Sequence, residues 1–202
     1  KGATISGEKL TNITGDTITY DYATGYGDTK MDVTLKVKND TFTGVKMDAG
    51  QLKCFKSGVV DTAYTGVDKY TEDGKWYYFE KGIHNPTFTG IAKSSKGNWI
   101  FVKDGVYDAA FTGIAKSTKG NWLYAKNGRY DTSYTGVAKS TKGNWLYVTG
   151  GRWDTKFTGA AKATDGRWLY VKDGRHDSTF TGAAKSTKGK WIYVNKGVYT
   201  TG

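Results

Sequence analysis

Six tryptophans recur at one interval of 23 residues, at Trp76, Trp99, Trp122, Trp145, Trp168 and Trp191. Two residues after each stands another ring: Tyr78, Phe101, Tyr124, Tyr147, Tyr170 or Tyr193. On a strand, residues i and i+2 share a face, so pairs such as Trp122 with Tyr124 present one aromatic side. Such a side either binds neighbouring copies together or, where it is open, stacks on sugar rings, whose axial C–H groups lie well on an aromatic plane. Trp and Tyr are also frequent binding anchors. A second row, two residues past a turn glycine, reads His84, Tyr107, Tyr130, Trp153, His176 and Tyr199. It keeps the ring while the identity wanders, which a tightly filled core slot tolerates poorly. These rings are candidates for a ladder on which a long polymer lies, with exposed packing as the alternative.

The remaining periodic groups suggest less chemistry. Asp61, Asp108, Asp131, Asp154 and Asp177 stand just before an aromatic-Thr-Gly sequence, where a bond from the carboxylate to a nearby backbone N–H would hold a turn. Calcium would need several converging oxygens, and nothing clusters that way. Lys93, Lys116, Lys139, Lys162 and Lys185 form one basic row and Lys96, Lys119, Lys142 and Lys188 another. Such rows either form a solvated face that discourages edge-to-edge pairing or meet an anionic polymer. The two histidines lie four repeats apart, and no Ser or Cys stands beside a base. No Cys/His cluster has zinc spacing, so the expectation is no enzyme, no metal and no cofactor.

The elements that must position these rings repeat with them. Aromatic-Thr-Gly occurs at Phe42-Thr-Gly44, Tyr64-Thr-Gly66, Phe88-Thr-Gly90, Phe111-Thr-Gly113, Tyr134-Thr-Gly136, Phe157-Thr-Gly159 and Phe180-Thr-Gly182, spaced by 23 residues from Gly90 onward. Within one unit, Val137-Ala-Lys139 reads as a short strand, Ser140–Asn144 as a turn, Trp145–Val148 as a second strand and Thr149–Gly151 as another turn. Several glycines per unit and the missing 3.6-residue apolar period argue against helix. A lone hairpin of this size is marginal in water. Burying one Trp against the next copy covers about 200 Å², an upper bound on the order of 5 kcal/mol per unit before entropy is subtracted. The expectation is an all-β solenoid of stacked hairpins, about seven units over residues 42–202, in which no unit folds alone.

Residues 1–41 differ. Ile18, Tyr20 and Tyr22 alternate with polar residues, as do Val33, Leu35 and Val37, the period-2 signature of strands. This segment is expected to be an N-terminal β cap, since an end unit has only one neighbour and is usually atypical. The next unit is also worn, with Leu52, Lys53, Cys54 and Phe55 in the slots that later hold Trp, Leu, Tyr and Val.

Composition sets outer bounds. Thirty basic against nineteen acidic residues give a net charge of +11, which favours anionic partners such as teichoic acids, acidic glycans, nucleic acid or an anionic membrane surface. Nucleic acid is the weaker expectation, because stacking and phosphate contact use these side chains but no known recognition motif appears. No apolar run approaches the roughly 20 residues that span a bilayer, so membrane insertion is not expected. A single cysteine excludes an internal disulfide. Lys1 in place of an initiator Met suggests a segment processed or excised from a longer protein.

The run Thr-Gly, short strand, Gly-x-Trp-x-Tyr-Val, turn and aromatic-Thr-Gly resembles the cell-wall-binding, choline-binding and glucan-binding repeats of Gram-positive surface proteins. It looks closest to the clostridial variant with Asp-x-x-aromatic-Thr-Gly, here Asp131–Gly136 and Asp154–Gly159. The resemblance implies a non-catalytic β-hairpin solenoid, secreted or on the cell surface, holding a parent enzyme or adhesin to a polysaccharide or the cell wall. One departure stands out. Choline-binding repeats usually place a Trp after Thr-Gly as part of a cage for a quaternary ammonium, whereas this chain has Val45, Val67, Ile91, Ile114, Val137, Ala160 and Ala183. A sugar-stacking surface fits what remains better. The reading is therefore a multivalent polysaccharide-binding module (α-glucan, mucin or cell-wall glycan). A structural stalk, or binding to a teichoic-acid-type polymer, is the alternative.

Overall fold

A computed structural model describes residues 41–200, together with four strands before them. The chain forms two compact units: residues 1–43 with 56–59, and residues 44–55 with 60–202. In the first, Thr4–Ser6 pairs antiparallel with Lys9–Thr11, and Thr17–Ala23 pairs antiparallel with Lys30–Lys36. The second pair coincides with the two alternating stretches of the sequence; Val37 lies outside the described residues.

The second unit is the repeat array, and all of its regular structure is β. One copy shows the plan. Gly136–Lys139 pairs antiparallel with Trp145–Thr149, in the register Val137↔Tyr147 and Lys139↔Trp145. The chain then reverses through Gly150 and Gly151, both at positive φ, into a two-residue strand, Arg152–Trp153, that returns along Trp145–Thr149. Equivalent reversals at Asp104-Gly105, Asn127-Gly128 and Asp173-Gly174 also hold both residues at positive φ. This is the turn whose twist suits a two-residue hairpin; Gly, Asn or Asp takes its first position in these copies, while Ser57, Lys81 and Lys196 adopt the same positive φ in others. The sequence contained this third strand only as the ring row after the turn glycine.

That short strand joins the copies. Arg152 also pairs with Leu123 in the central strand of the preceding unit, and the amide N–H of Tyr124 donates to the Gly151 carbonyl at 2.8 Å. A second link runs from the Thr141 N–H to the Ile114 carbonyl, beside a parallel bridge between Ile114 and Ser140. The same pair of links recurs at the following junction, as Tyr147 to Gly174 and Thr164 to Val137.

The core lies between units. Ile114, Trp122 and Tyr124 on one copy pack against Ala138, Leu146 and Val148 on the next. One step earlier Ile91, Trp99 and Phe101 meet Ala115, Leu123 and Ala125. Each unit therefore offers an aromatic face forward and a small aliphatic face backward, so copies stack head to tail. The second ring of each aromatic face is sealed by the anchor that opens the next unit. Tyr78 lies on Phe88, Phe101 on Phe111, Tyr124 on Tyr134, Tyr147 on Phe157 and Tyr170 on Phe180, with centroids 3.6–4.0 Å apart and planes within 21° of parallel. Such pairs contribute about 0.5–1.5 kcal/mol beyond the area they bury.

This packing corrects part of the expected site. Tyr124 and Tyr147 are only 3% and 5% exposed, so they are core and present no surface to a ligand. Tyr170 is half-buried under the same kind of stack. In the last unit, which has no copy in front of it in the structure, Trp191 and Tyr193 are 70% and 58% exposed. The difference measures what the next copy covers.

The Thr-Gly pair follows from the same geometry. The hydroxyl oxygen of Thr135 accepts from the Gly150 N–H at 3.2 Å, and that of Thr158 accepts from the Asp173 N–H at 3.2 Å, fixing the hairpin reversal. A Cβ on Gly90 would stand 2.6 Å from the Lys116 carbonyl of the next unit. The anchor thus needs a hydroxyl for its own turn and a bare backbone for its neighbour.

Candidate functional site

The tryptophans differ from the tyrosines beside them: Trp76, Trp99, Trp122, Trp145 and Trp168 are half-buried, at the rim of each junction. A groove opens there. At the Trp76 junction it holds about 290 Å³, bounded by Trp76, Lys69, Lys96, Tyr107 and Arg129. At the Trp122 junction it holds about 410 Å³, between Trp122, Lys116, Arg152 and Trp153. The Trp168 junction has about 250 Å³ between Trp168, Lys188, Lys190 and Tyr199. Each groove therefore brings a tryptophan of one unit together with a ring-row residue of the next.

The ring row does structural work at the same place. Trp153 donates its indole N–H to the Gly174 carbonyl at 3.0 Å, and the His176 Nε2 lies 3.2 Å from the Gly197 carbonyl. Tyr107 and Tyr130 reach the carbonyls of Asn127 and Gly150 at 3.4 and 3.5 Å. Each ring leans over the hairpin reversal one unit further on. A Cβ on Gly128 would meet Tyr107 at 2.8 Å and one on Gly174 would meet Trp153 at 2.8 Å. Any flat ring with a polar edge can make this contact, which is why the identity wanders. Tyr107, Tyr130, Trp153 and His176 are half-buried, and Tyr199 is exposed.

Sequence reasoning missed what covers the tryptophans. Lys96 Nζ sits over the Trp76 ring at 5.5 Å, Lys119 over Trp99 at 5.6 Å, Lys142 over Trp122 at 5.9 Å and Lys188 over Trp168 at 5.8 Å. A cation over an indole at an exposed position contributes about 0.5–1 kcal/mol. The signal was present in the chain, because each of these lysines stands 20 residues after its tryptophan. One unit departs from the rule: Asp165 occupies the lysine slot, and Arg167, two residues on, lies over Trp145 at 5.6 Å while pairing with Asp165 at 2.7 Å. The cation over the ring is kept although its residue has moved.

The aspartates hold turns. Asp131 accepts from the Ser133 N–H at 2.8 Å and Asp154 from the Lys156 N–H at 2.9 Å. Asn85 makes the equivalent bond to Thr87. The Ser133 hydroxyl and N–H hold the Asp131 carboxyl below its ordinary range. Burial pushes His84 down, towards the neutral imidazole. Burial also lifts the Cys54 thiol to about 12, with Asp68 and Asp61 adding to the effect, which leaves it unreactive. Among the described residues no group of three or more His, Cys, Asp or Glu is placed to hold a metal ion. No described helix is long and apolar enough to cross a membrane.

Stacked hairpins joined through aromatic junctions, with grooves that repeat along the stack, define a tandem β-hairpin repeat protein of the solenoid type. Residues 87–108, 133–154, 156–177 and 179–198 match the choline-binding repeat family. These four segments are similar to repeats of that family, a family of binding modules that occurs in cell-surface and secreted proteins. Comparison of the sequence with curated proteins gave no match. Several solved structures were matched, among them two lyases. A streptogramin B lyase is 15% identical over 67% of this chain and 41% of its own length, with a TM-score of 0.12. Virginiamycin B lyase from Staphylococcus aureus is 10% identical over 96% and 69%, with a TM-score of 0.13. At these scores neither bears on the fold or activity of this chain.

Proposed function

We propose that this chain is a non-catalytic module that attaches its parent protein to an extracellular polysaccharide or cell-wall polymer. The observation that carries this reading is the recurrence of one half-open groove, with a tryptophan on one side and a ring-row residue on the other, at every second junction of the stack, those of Trp76, Trp122 and Trp168. Each groove is small and shallow enough to bind weakly. A polymer that enters several is held by the effective concentration of the remaining sites, which raises affinity by factors of about 10²–10⁴. Trp99, Trp122, Trp145 and Trp168, with Tyr107, Tyr130, Trp153, His176 and Tyr199, are the residues proposed to meet the polymer. Residues 1–41 are proposed to act as the cap of the array.

A second reading is favoured by the rings that lean on the next turn and the cations that sit on the indoles. Both staple unit to unit, as a structural stalk requires. Pull-down of the full chain on insoluble glucans, mucin and isolated cell walls separates the two. The attachment reading expects retention on at least one matrix, reduced at least tenfold by Trp122→Ala with Tyr130→Ala while the tryptophan fluorescence and far-UV spectrum stay native. A folded chain that passes every matrix is a stalk.

A further inference from the structure

The three grooves share a charge pattern as well as a shape. Lys69, Lys96 and Arg129 line the first, Lys116 and Arg152 the second, and Lys188 and Lys190 the third, and no carboxylate lines any of them. The ion pairs among the described residues, Lys53 with Asp48 and Arg167 with Asp165, involve none of these seven cations. Cations gathered without a counter-ion over an apolar floor attract an anionic group strongly. The indole face that would attract a ligand cation is already taken by the chain's own lysine or arginine at five successive junctions.

We infer that the grooves recognise an acidic glycan: a sugar ring rests on the exposed edge of the tryptophan and the ring-row residue, and its carboxylate or sulfate is held by the lysines and arginines. The internal cation simultaneously excludes a quaternary ammonium, which would have to displace it. This rests on the attachment reading and names its ligand class. The departure at Trp145 sharpens it. There Asp165 neutralises Arg167, so this junction is the weakest anion site of the series, and removing that carboxylate strengthens it.

The test uses the full chain and immobilised dextran, dextran sulfate and polygalacturonate, at low and high salt, with phosphocholine and single-stranded DNA as further probes. The native chain binds dextran sulfate and polygalacturonate, loses that binding steeply as salt rises, and leaves dextran unbound. Relative affinity for the two acidic glycans tells sulfate from carboxylate as the preferred group. Replacing Lys96, Lys119, Lys142 and Lys188 with Gln lowers acidic-glycan affinity on the order of 10²-fold and makes phosphocholine binding measurable. Asp165→Asn raises acidic-glycan affinity severalfold, an effect that a purely structural cation would not produce. Equal binding of dextran and dextran sulfate, equal binding of DNA and the glycans, or an unchanged affinity in the folded quadruple variant overturns the inference and leaves the attachment reading in place. Failure to bind any glycan or cell wall removes both.

Discussion

Two glycines of one unit, Gly143 and Gly151, allow the cost of close approach between repeats to be isolated. Both have left-handed backbone, with φ of +81° and +73°. Around Gly143 nothing lies within 4 Å of an added Cβ, whereas at Gly151 the Asp131 carbonyl of the preceding unit would lie 2.2 Å away and Tyr130 2.9 Å away. Gly143→Ala therefore pays the conformational cost alone, about 1 kcal/mol. Gly151→Ala adds a contact roughly 1 Å short of a comfortable C···O separation, which only backbone movement can relieve, at about 1–3 kcal/mol. That movement also strains the bond from Tyr124 N–H to the Gly151 carbonyl, 2.8 Å in the native packing, for about 1 kcal/mol more. The expected totals are about 1 kcal/mol at Gly143 and about 3–5 kcal/mol at Gly151. Urea unfolding followed by tryptophan fluorescence reads both, as shifts of the midpoint compared at a common slope. Equal losses in the two variants would refute the claim that the turn glycine is set by the neighbouring copy.

Other outcomes follow from the same packing. Tyr147→Ala, which removes a buried ring and its stack on Phe157, lowers stability by about 3–5 kcal/mol, while Trp191→Ala on the open face changes it by under 1 kcal/mol; thermal melts compare them. His84 is held neutral by burial, so its folded pKa lies below the unfolded value of about 6.5. Its contribution is complete above that value and is lost as pH falls through the folded pKa; His84→Tyr, the residue at the Tyr107 and Tyr130 positions, therefore flattens the melting temperature between pH 7 and 5. The Asp131 carboxylate is depressed likewise, so its contribution is present above about pH 3.9 and disappears under stronger acid. Asp131→Asn keeps the turn, as Asn85 does, and removes that acid dependence. Cys54, buried and raised to about 12, reacts with a thiol reagent at pH 8 only after denaturant is added; fast labelling of the native chain would contradict its place in the core.

The sequence alone determined the period, the strand content and the rows of side chains, because hairpin turns and alternating faces are local and repeat with the chain. It also placed Asp131 and its equivalents on turns, since the acceptor and the donor stand two residues apart. Which rings are open was decided between copies. Trp122 and Tyr124 share a face of one strand, yet the anchor Tyr134 lies flat on the tyrosine and seals it, while the tryptophan reaches the rim. Lys142 sits over Trp122 from 20 residues further along, and Gly151 meets a carbonyl of the preceding unit. Contacts of that kind depend on the offset between stacked units, which is fixed by how an aromatic face fills the aliphatic face ahead of it. A single copy carries no record of that offset.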